Sequence, residues 1–222
     1  MNFDQALRDG VTQLRLALSE AHLQKISAYA TLLQKWNKTY NLTAVRDLEG
    51  ILTLHLLDSL AVLPFFEPEA QHLLDIGSGG GLPGIPLAIA RPDLGVTLLD
   101  SNSKKSAFQQ QAVIELGLKN VTVVNSRVEL FKPRQPFQKI ISRAFSELAD
   151  FVTVSRPLLV PEGRWLAMKG VFPGDEIARL PEDVTVSEAH RLTIPGVDAE
   201  RHLIILTAAA TVTTATDSSL GV

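Results

Sequence analysis

The run Leu73-Leu74-Asp75-Ile76-Gly77-Ser78-Gly79-Gly80-Gly81-Leu82-Pro83-Gly84 constrains this chain more than any other segment. A short apolar stretch with one acid reads as a buried strand, and it runs directly into three alternating glycines. Pro83 follows where the first turn of a helix should begin, with a fixed φ suited to that position. The pattern is therefore strand, tight turn, helix. Glycine tolerates positive φ and, lacking a Cβ, lets backbone N–H groups approach a ligand, so the turn is a place where a small molecule touches main chain.

A second strand sharpens this reading. After a helical run from Gly84 to Arg91, closed by Pro92, the residues Gly95-Val96-Thr97-Leu98-Leu99-Asp100 end on a carboxylate 23 positions beyond Gly77. In a βαβ unit an acid about 20 residues past the glycine turn accepts hydrogen bonds from ribose hydroxyls. Gly79-x-Gly81-x-x-Gly84 formally matches the dinucleotide fingerprint, so a nicotinamide-dependent oxidoreductase is one alternative. Asp75 argues against it, because a carboxylate at the tip of the first strand repels a pyrophosphate and suits a cationic ammonium. S-adenosylmethionine has an ammonium, a ribose and no phosphate. The Gly-x-x-x-x-Gly-Lys-Ser/Thr signature of a phosphate-cradling loop is absent.

The rest of the chain fits one α/β unit. Residues 19–40 carry apolar side chains at helical spacing, and residues 50–63 give a second apolar helix. Strands at 72–76, 95–100, 121–124, 138–142 and 162–168 then alternate with helices at 83–91, 103–116, 147–158 and 174–180, with a short turn near 127–131. That alternation predicts a doubly wound, mostly parallel sheet. Two strands joined only by a loop at Pro195-Gly196 (184–194 and 201–207) predict a closing antiparallel hairpin. The expected organisation is an N-terminal helical extension over 1–66, an α/β domain over 67–208 and a disordered tail over 209–222.

Composition narrows the chemistry. With no cysteine there is no disulfide, thiolate metal site or cysteine nucleophile, and the five histidines lack close metal-ligand spacing, so no metal is expected. No run of 18 uncharged apolar residues exists, and the first residues lack the basic and apolar regions of a secretion signal; a cytoplasmic protein without a membrane partner is expected. The formal net charge of −3 conceals an asymmetry: residues 100–145 are +5 and the remainder −8. Loops at the C-terminal ends of the strands surround the ligand in such a sheet, which places Arg127 and Arg143 at its mouth and suggests a polyanionic substrate.

These residues carry a resemblance. The glycine segment, together with Tyr40-Asn41-Leu42-Thr43-Ala44-Val45, His55-Leu56-Leu57-Asp58-Ser59, Ser126-Arg127-Val128-Glu129, Ile141-Ser142-Arg143-Ala144-Phe145, Leu166-Ala167-Met168-Lys169-Gly170 and Glu200-Arg201-His202-Leu203, resembles the bacterial RsmG (GidB) family over roughly residues 20–207. The resemblance implies a class I S-adenosylmethionine-dependent methyltransferase with a Rossmann-like sheet of seven strands, acting on a guanine N7 of 16S ribosomal RNA. It implies Gly77 and Leu82 on the methionine side of the cofactor, where the turn itself already assigns Asp75, Gly79 and Gly81, with Asp100 at the ribose, Val128 and Glu129 at the adenine, and Arg143 as the catalytic residue, also touching the cofactor. Lys104, Arg127, Lys169 and Arg201 are the expected RNA contacts. The partner is 16S ribosomal RNA, either free or in a small-subunit particle or assembly intermediate, and a monomer is expected.

What is missing agrees. No Asn-Pro-Pro-Tyr or Asp-Pro-Pro-Phe segment is present to clamp an exocyclic amine, whereas N7 already carries an in-plane lone pair and needs no general base. A non-catalytic RNA-binding assembly factor stands as the remaining alternative; nothing in the glycine turn or its acids is lost.

Overall fold

The computed structural model describes residues 2–67, 72–143 and 145–209; the expected tail beyond 209 lies outside them. Seven strands form one sheet in the order β3-β2-β1-β4-β5-β7-β6: β1 (His72–Ile76), β2 (Gly95–Asp100), β3 (Val121–Asn125), β4 (Phe137–Ser142), β5 (Leu159–Lys169), β6 (Val184–Arg191) and β7 (His202–Ala208). β1 to β5 run parallel, and β7 enters antiparallel between β5 and β6. The doubly wound sheet and its closing hairpin are as the sequence predicted. Chain order reverses between β1 and β4, so a crevice opens there at the strands' C-terminal ends, where open α/β sheets hold ligands.

The central strands are nearly all apolar because helices cover both faces. Helices α5 (Gly84–Ala90) and α6 (Ser103–Leu116) follow β1 and β2, α7 (Leu148–Ser155) follows β4, and α8 (Gly174–Ile177) follows β5. Asn102 caps α6 by accepting from the N–H groups of Lys104 and Lys105, and Gly117 ends it at φ 61°. One face of the sheet packs Phe151, Trp165 and Leu148; the other packs Leu73, Leu98 and Phe108.

The helices before β1 belong to that second core. α2 (Glu20–Tyr40) lays Ile26, Tyr29, Ala30 and Leu33 against the same cluster as Leu73 and Ile85. The segment from 48 to 60 winds continuously but not uniformly: α3 (Leu48–Gly50), a π-helical stretch Ile51–Leu57, then α4 (Asp58–Leu60). Extended through the turn after α4, a window of 18 residues, Leu48–Phe65, is apolar enough to cross a membrane by composition, yet 61% of it is buried inside the fold. Helix α1 (Phe3–Gln13) was not anticipated. It is short and largely polar, and its interior Gly10 obscures the helical signal; a Cβ there would lie 2.5 Å from Leu57 Cδ1 and displace that buried side chain.

Candidate active site

The glycine turn is held from four directions. Gly77, Gly79 and Gly81 take φ of 69°, 57° and 84°, the left-handed region that side chains resist. The Gly77 N–H donates to Leu99 O (2.8 Å), tying the turn to the end of β2. The Gly79 N–H donates to Asp100 Oδ2 (2.8 Å), and the Gln109 amide from α6 donates to Gly79 O (2.7 Å) and Ser78 Oγ (2.9 Å). The buried Tyr29 hydroxyl, on α2, donates to Gly80 O. Gly84 is as constrained as the turn, since a Cβ on it would meet Leu98 Cδ2 at 2.3 Å and Asp75 Oδ2 at 2.8 Å.

Asp75, expected at the ammonium, lies inside the fold. Its carboxyl is completely buried, and Oδ2 accepts the Gly84 N–H at 2.8 Å, fastening β1 to the start of α5. Burial pushes its pKa up to about 7, against the lowering effects of the Gly84 bond and of Arg143. One oxygen thus holds the start of α5, and the other, Oδ1, has no hydrogen-bond partner.

Beside the turn lies a groove of about 330 Å³ lined by Ile76, Gly77, Leu99, Asp100, Arg127, Val128, Glu129 and Phe145, with Ser101 and Ser126 at its polar side. Four of the expected cofactor residues, Gly77, Asp100, Val128 and Glu129, therefore meet in one place although up to 52 positions separate them. Asp100 uses one lone pair of each oxygen on the N–H groups of Gly79 and Asn102 (both 2.8 Å). A carboxylate accepts about four hydrogen bonds, so capacity for a pair of ribose hydroxyls remains. Apolar walls from Ile76, Leu99, Val128 and Phe145 suit a purine. The residues present thus fit S-adenosylmethionine. Leu82, by contrast, is packed in the core and does not line the groove.

A second cavity of about 380 Å³ sits alongside, lined by Leu54, His55, Asp58, Arg143, Met168, Lys169, Gly170, Leu192, Arg201 and His202. Arg143 follows β4, whose Ser142 hydroxyl donates to Ile76 O of β1 (2.8 Å), so it stands next to the glycine turn. It lines this cavity and not the groove. Its Nη1 donates to Leu54 O (3.1 Å) and lies 3.4 Å from Asp58 Oδ2, while Arg201 Nε lies 3.2 Å from Asp58 Oδ1. His55 Nε2 is 2.7 Å from Thr43 Oγ1, and burial, reinforced by Arg143, lowers its pKa to about 4. It is neutral at pH 7.

The expected RNA contacts separate. Lys104 and Arg127 are exposed, Arg127 on the groove's rim. Arg201 lines the cavity. Lys169 does not fit the role: its ammonium donates to Phe145 O (3.0 Å), Ser146 O (3.1 Å) and Glu176 Oε2 (2.7 Å), and its side chain is 11% exposed. All three donors are engaged within the fold, pinning the loop after β4 to α8. Lys139, counted in the basic segment, is likewise buried and paired with Glu67.

Sequence reasoning missed Tyr29, Gln109, His55 and Asp58. The last two had a signal: polar residues at i and i+3 in an otherwise apolar helix demand buried partners. The partners are Thr43 and the arginines just after β4 and just before β7, which spacing alone does not reveal.

Comparisons with known proteins agree with this geometry. The proteins named ribosomal RNA small subunit methyltransferase G are 59% identical in Aromatoleum aromaticum (204 residues, 90% of this chain and 96% of that protein) and 54% in Chromobacterium violaceum (198 residues, 89% and 94%). Among solved structures, a SAM-dependent methyltransferase from Aquifex aeolicus superposes with a TM-score of 0.58 at 18% identity, covering 79% of this chain and 98% of that one, and TrmN from Thermus thermophilus with 0.54 at 18%, covering 68% and 48%. These two share the fold. The GidB family, described as rRNA small subunit methyltransferase G, matches residues 22–204, and the chain belongs to it.

Proposed function

We propose that the protein transfers the methyl group of S-adenosylmethionine to N7 of a guanine in 16S ribosomal RNA. The observation that carries this reading is a pair of spaces at the strands' C-terminal ends: a groove suited to an adenosine and a cavity lined by Arg143 and Arg201, linked where Lys169 of the cavity donates to Phe145 O of the groove. When bound, S-adenosylmethionine supplies an electrophilic methyl on a cationic sulfur.

The work left to the protein is alignment. The N7 lone pair forms the new C–N bond as the S–C bond breaks; positive charge passes from sulfur to the purine, and no proton is removed. His55 is neutral at pH 7 but no proton needs a carrier in this step. Asp100 would hold the ribose and the Gly77–Gly81 turn the methionine end, while Arg143 fixes the base from the other side. A guanidinium cannot stabilise charge developing on the base, so its role is positional: a planar fork to guanine O6 or to phosphate. Orientation of this kind contributes up to roughly 7–11 kcal/mol to a bimolecular transfer. Because the major groove of A-form RNA is too deep and narrow for side chains, the target guanine is unpaired or splayed out. Lys104, Arg127 and Arg201 supply phosphate contacts around the mouth, with the protein acting as a cytoplasmic monomer.

The test is methyl transfer by the purified protein to small-subunit RNA, free and as the assembled particle, followed by mapping of the modified nucleotide. A single N7-methylguanine is expected. Methylation of an exocyclic amine or of a ribose would overturn the N7 assignment, and binding of NAD in preference to S-adenosylhomocysteine would overturn the cofactor.

A further inference from the structure

Asp58 is the most deeply buried charged group at the cavity, 3% exposed in the fold, and among the described residues no hydrogen bond or ion pair joins it to the glycine turn. It opens α4, in the helical region before the sheet. Its two oxygens face two different guanidinium groups: Arg143, beyond the end of β4, and Arg201, before the start of β7. Three elements distant in sequence thus converge on one carboxylate. Burial raises the Asp58 pKa, and both arginines oppose that rise. His55, the neighbour on the same winding, is neutral, and Lys169 is matched by Glu176. The Asp58 carboxyl therefore lies between two guanidinium groups, and the cavity wall carries a net positive charge.

The arginines are only partly satisfied. Arg143 spends Nη1 on Leu54 O, His55 and Asp58, whereas Arg201 spends Nη1 on Glu200 O and holds Nε 3.2 Å from Asp58 Oδ1 as an ion pair without a hydrogen bond. Among the described residues, Nε and Nη2 of Arg143 and Nη2 of Arg201 have no hydrogen-bond partner, and both side chains line the cavity. Two guanidinium groups so placed repel each other and, without an anchor, would relax into solvent. The shared carboxylate holds them together and leaves their outer nitrogens for an incoming oxyanion, the ligand whose geometry a guanidinium fork matches.

Resting on the methylation reading above, we propose that Asp58 is a positioning residue that presets Arg143 and Arg201 as a two-armed clamp for a phosphate of the bound RNA. The clamp fixes the backbone of the target nucleotide so that the base meets the groove in line.

The experiment compares the parent protein with Asp58→Asn, which keeps the shape and removes the charge. Single-turnover methyl transfer at saturating RNA and cofactor should fall at least tenfold. RNA affinity should be equal or tighter, since a negative charge facing a polyanion has gone; a merely structural defect would weaken binding and rate together. In an Arg143→Lys background Asp58→Asn should cost less than threefold more, because it acts through a fork already lost. Melting temperature and S-adenosylhomocysteine affinity, measured alongside, report on the fold. If Asp58→Asn does not fold, Asp58→Glu keeps the charge, displaces the anchor and should lower the transfer rate at unchanged RNA affinity. A transfer rate within twofold of the parent, a parallel loss of affinity and rate, or multiplicative losses in the double variant would overturn the proposal. A parent protein that transfers no methyl group sinks the methylation reading instead. The clamp is then judged on RNA binding alone, where Arg143→Ala with Arg201→Ala must flatten the salt dependence or the clamp is refuted.

Discussion

Asp75 should make the cofactor-free protein less stable as pH rises. Its carboxyl is completely buried under the glycine turn, and its pKa goes from 3.8 to about 7 on folding, with burial as the main cause. The folded protein therefore keeps a proton on Asp75 over a range where the unfolded chain has already lost it. With more protons bound in the native state, unfolding free energy decreases as pH increases through that window, and levels off above the folded-state value. A difference of about three pH units corresponds to about 4 kcal/mol in full at 1.36 kcal/mol per unit, of which about 2–3 kcal/mol falls between pH 5 and 8. The perturbation is Asp75→Asn. The amide oxygen still accepts the Gly84 N–H, and the amide nitrogen replaces an oxygen that has no partner, so the substitution carries a fixed cost and no titration. Urea unfolding of both proteins at half-unit steps of pH isolates the effect as a change in their difference, which cancels every other titrating group. The difference should move against the parent by about 2–3 kcal/mol from pH 5 to 8. Parallel profiles would mean that Asp75 is ionised at no cost in the fold, and the burial argument would fail.

Asp100→Asn should weaken S-adenosylhomocysteine binding by about 1–3 kcal/mol in calorimetry, the cost of unmade polar partners; unchanged affinity would remove Asp100 from the ribose site. Gly84→Ala puts a methyl against Leu98 and the Asp75 carboxyl, and should destabilise the protein by about 1–3 kcal/mol or more in chemical denaturation, with parent-like stability refuting the tight approach. Arg127 and Lys169 should behave oppositely: Arg127→Ala lowers the salt dependence of RNA binding by about one unit of slope, whereas Lys169→Ala lowers thermal stability and leaves the slope alone. Equal slopes for both variants, measured by titration at several salt concentrations, would erase the distinction drawn from their surroundings.

The sheet was legible because its signals are local. Each parallel strand is a short apolar run, and the glycine turn, the acid ending β2 and the Val128-Glu129 pair sit where strand ends must bring them together. Side-chain destinations were not local. Asp75 and Lys169 look alike in sequence as charged residues at strand ends, yet one turns under the glycine loop and the other reaches α8. Whether a charged group faces a ligand or ties two elements depends on what packs above it, and for Lys169 the deciding residue, Glu176, lies on a helix of only four residues. Helix α1 escaped for a different reason, because the glycine that permits its packing is also what masks its periodicity.

The helical region before β1 cannot be an appendage to a self-sufficient catalytic sheet. Tyr29 donates into the glycine turn from α2, and Leu54, His55 and Asp58 form one wall of the cavity from the π-helical winding and α4. π-type turns inside helices concentrate at functional sites, since the extra residue rotates side chains off the regular face. Here the rotation falls on the stretch that delivers His55 and, one residue beyond it, Asp58. The sheet alone supplies a cofactor groove, a feature shared by methyltransferases with unrelated acceptors. The second wall comes from outside the sheet: the N-terminal helices place Asp58 between Arg143 and Arg201, so the cavity proposed to receive the acceptor is completed by residues that precede β1.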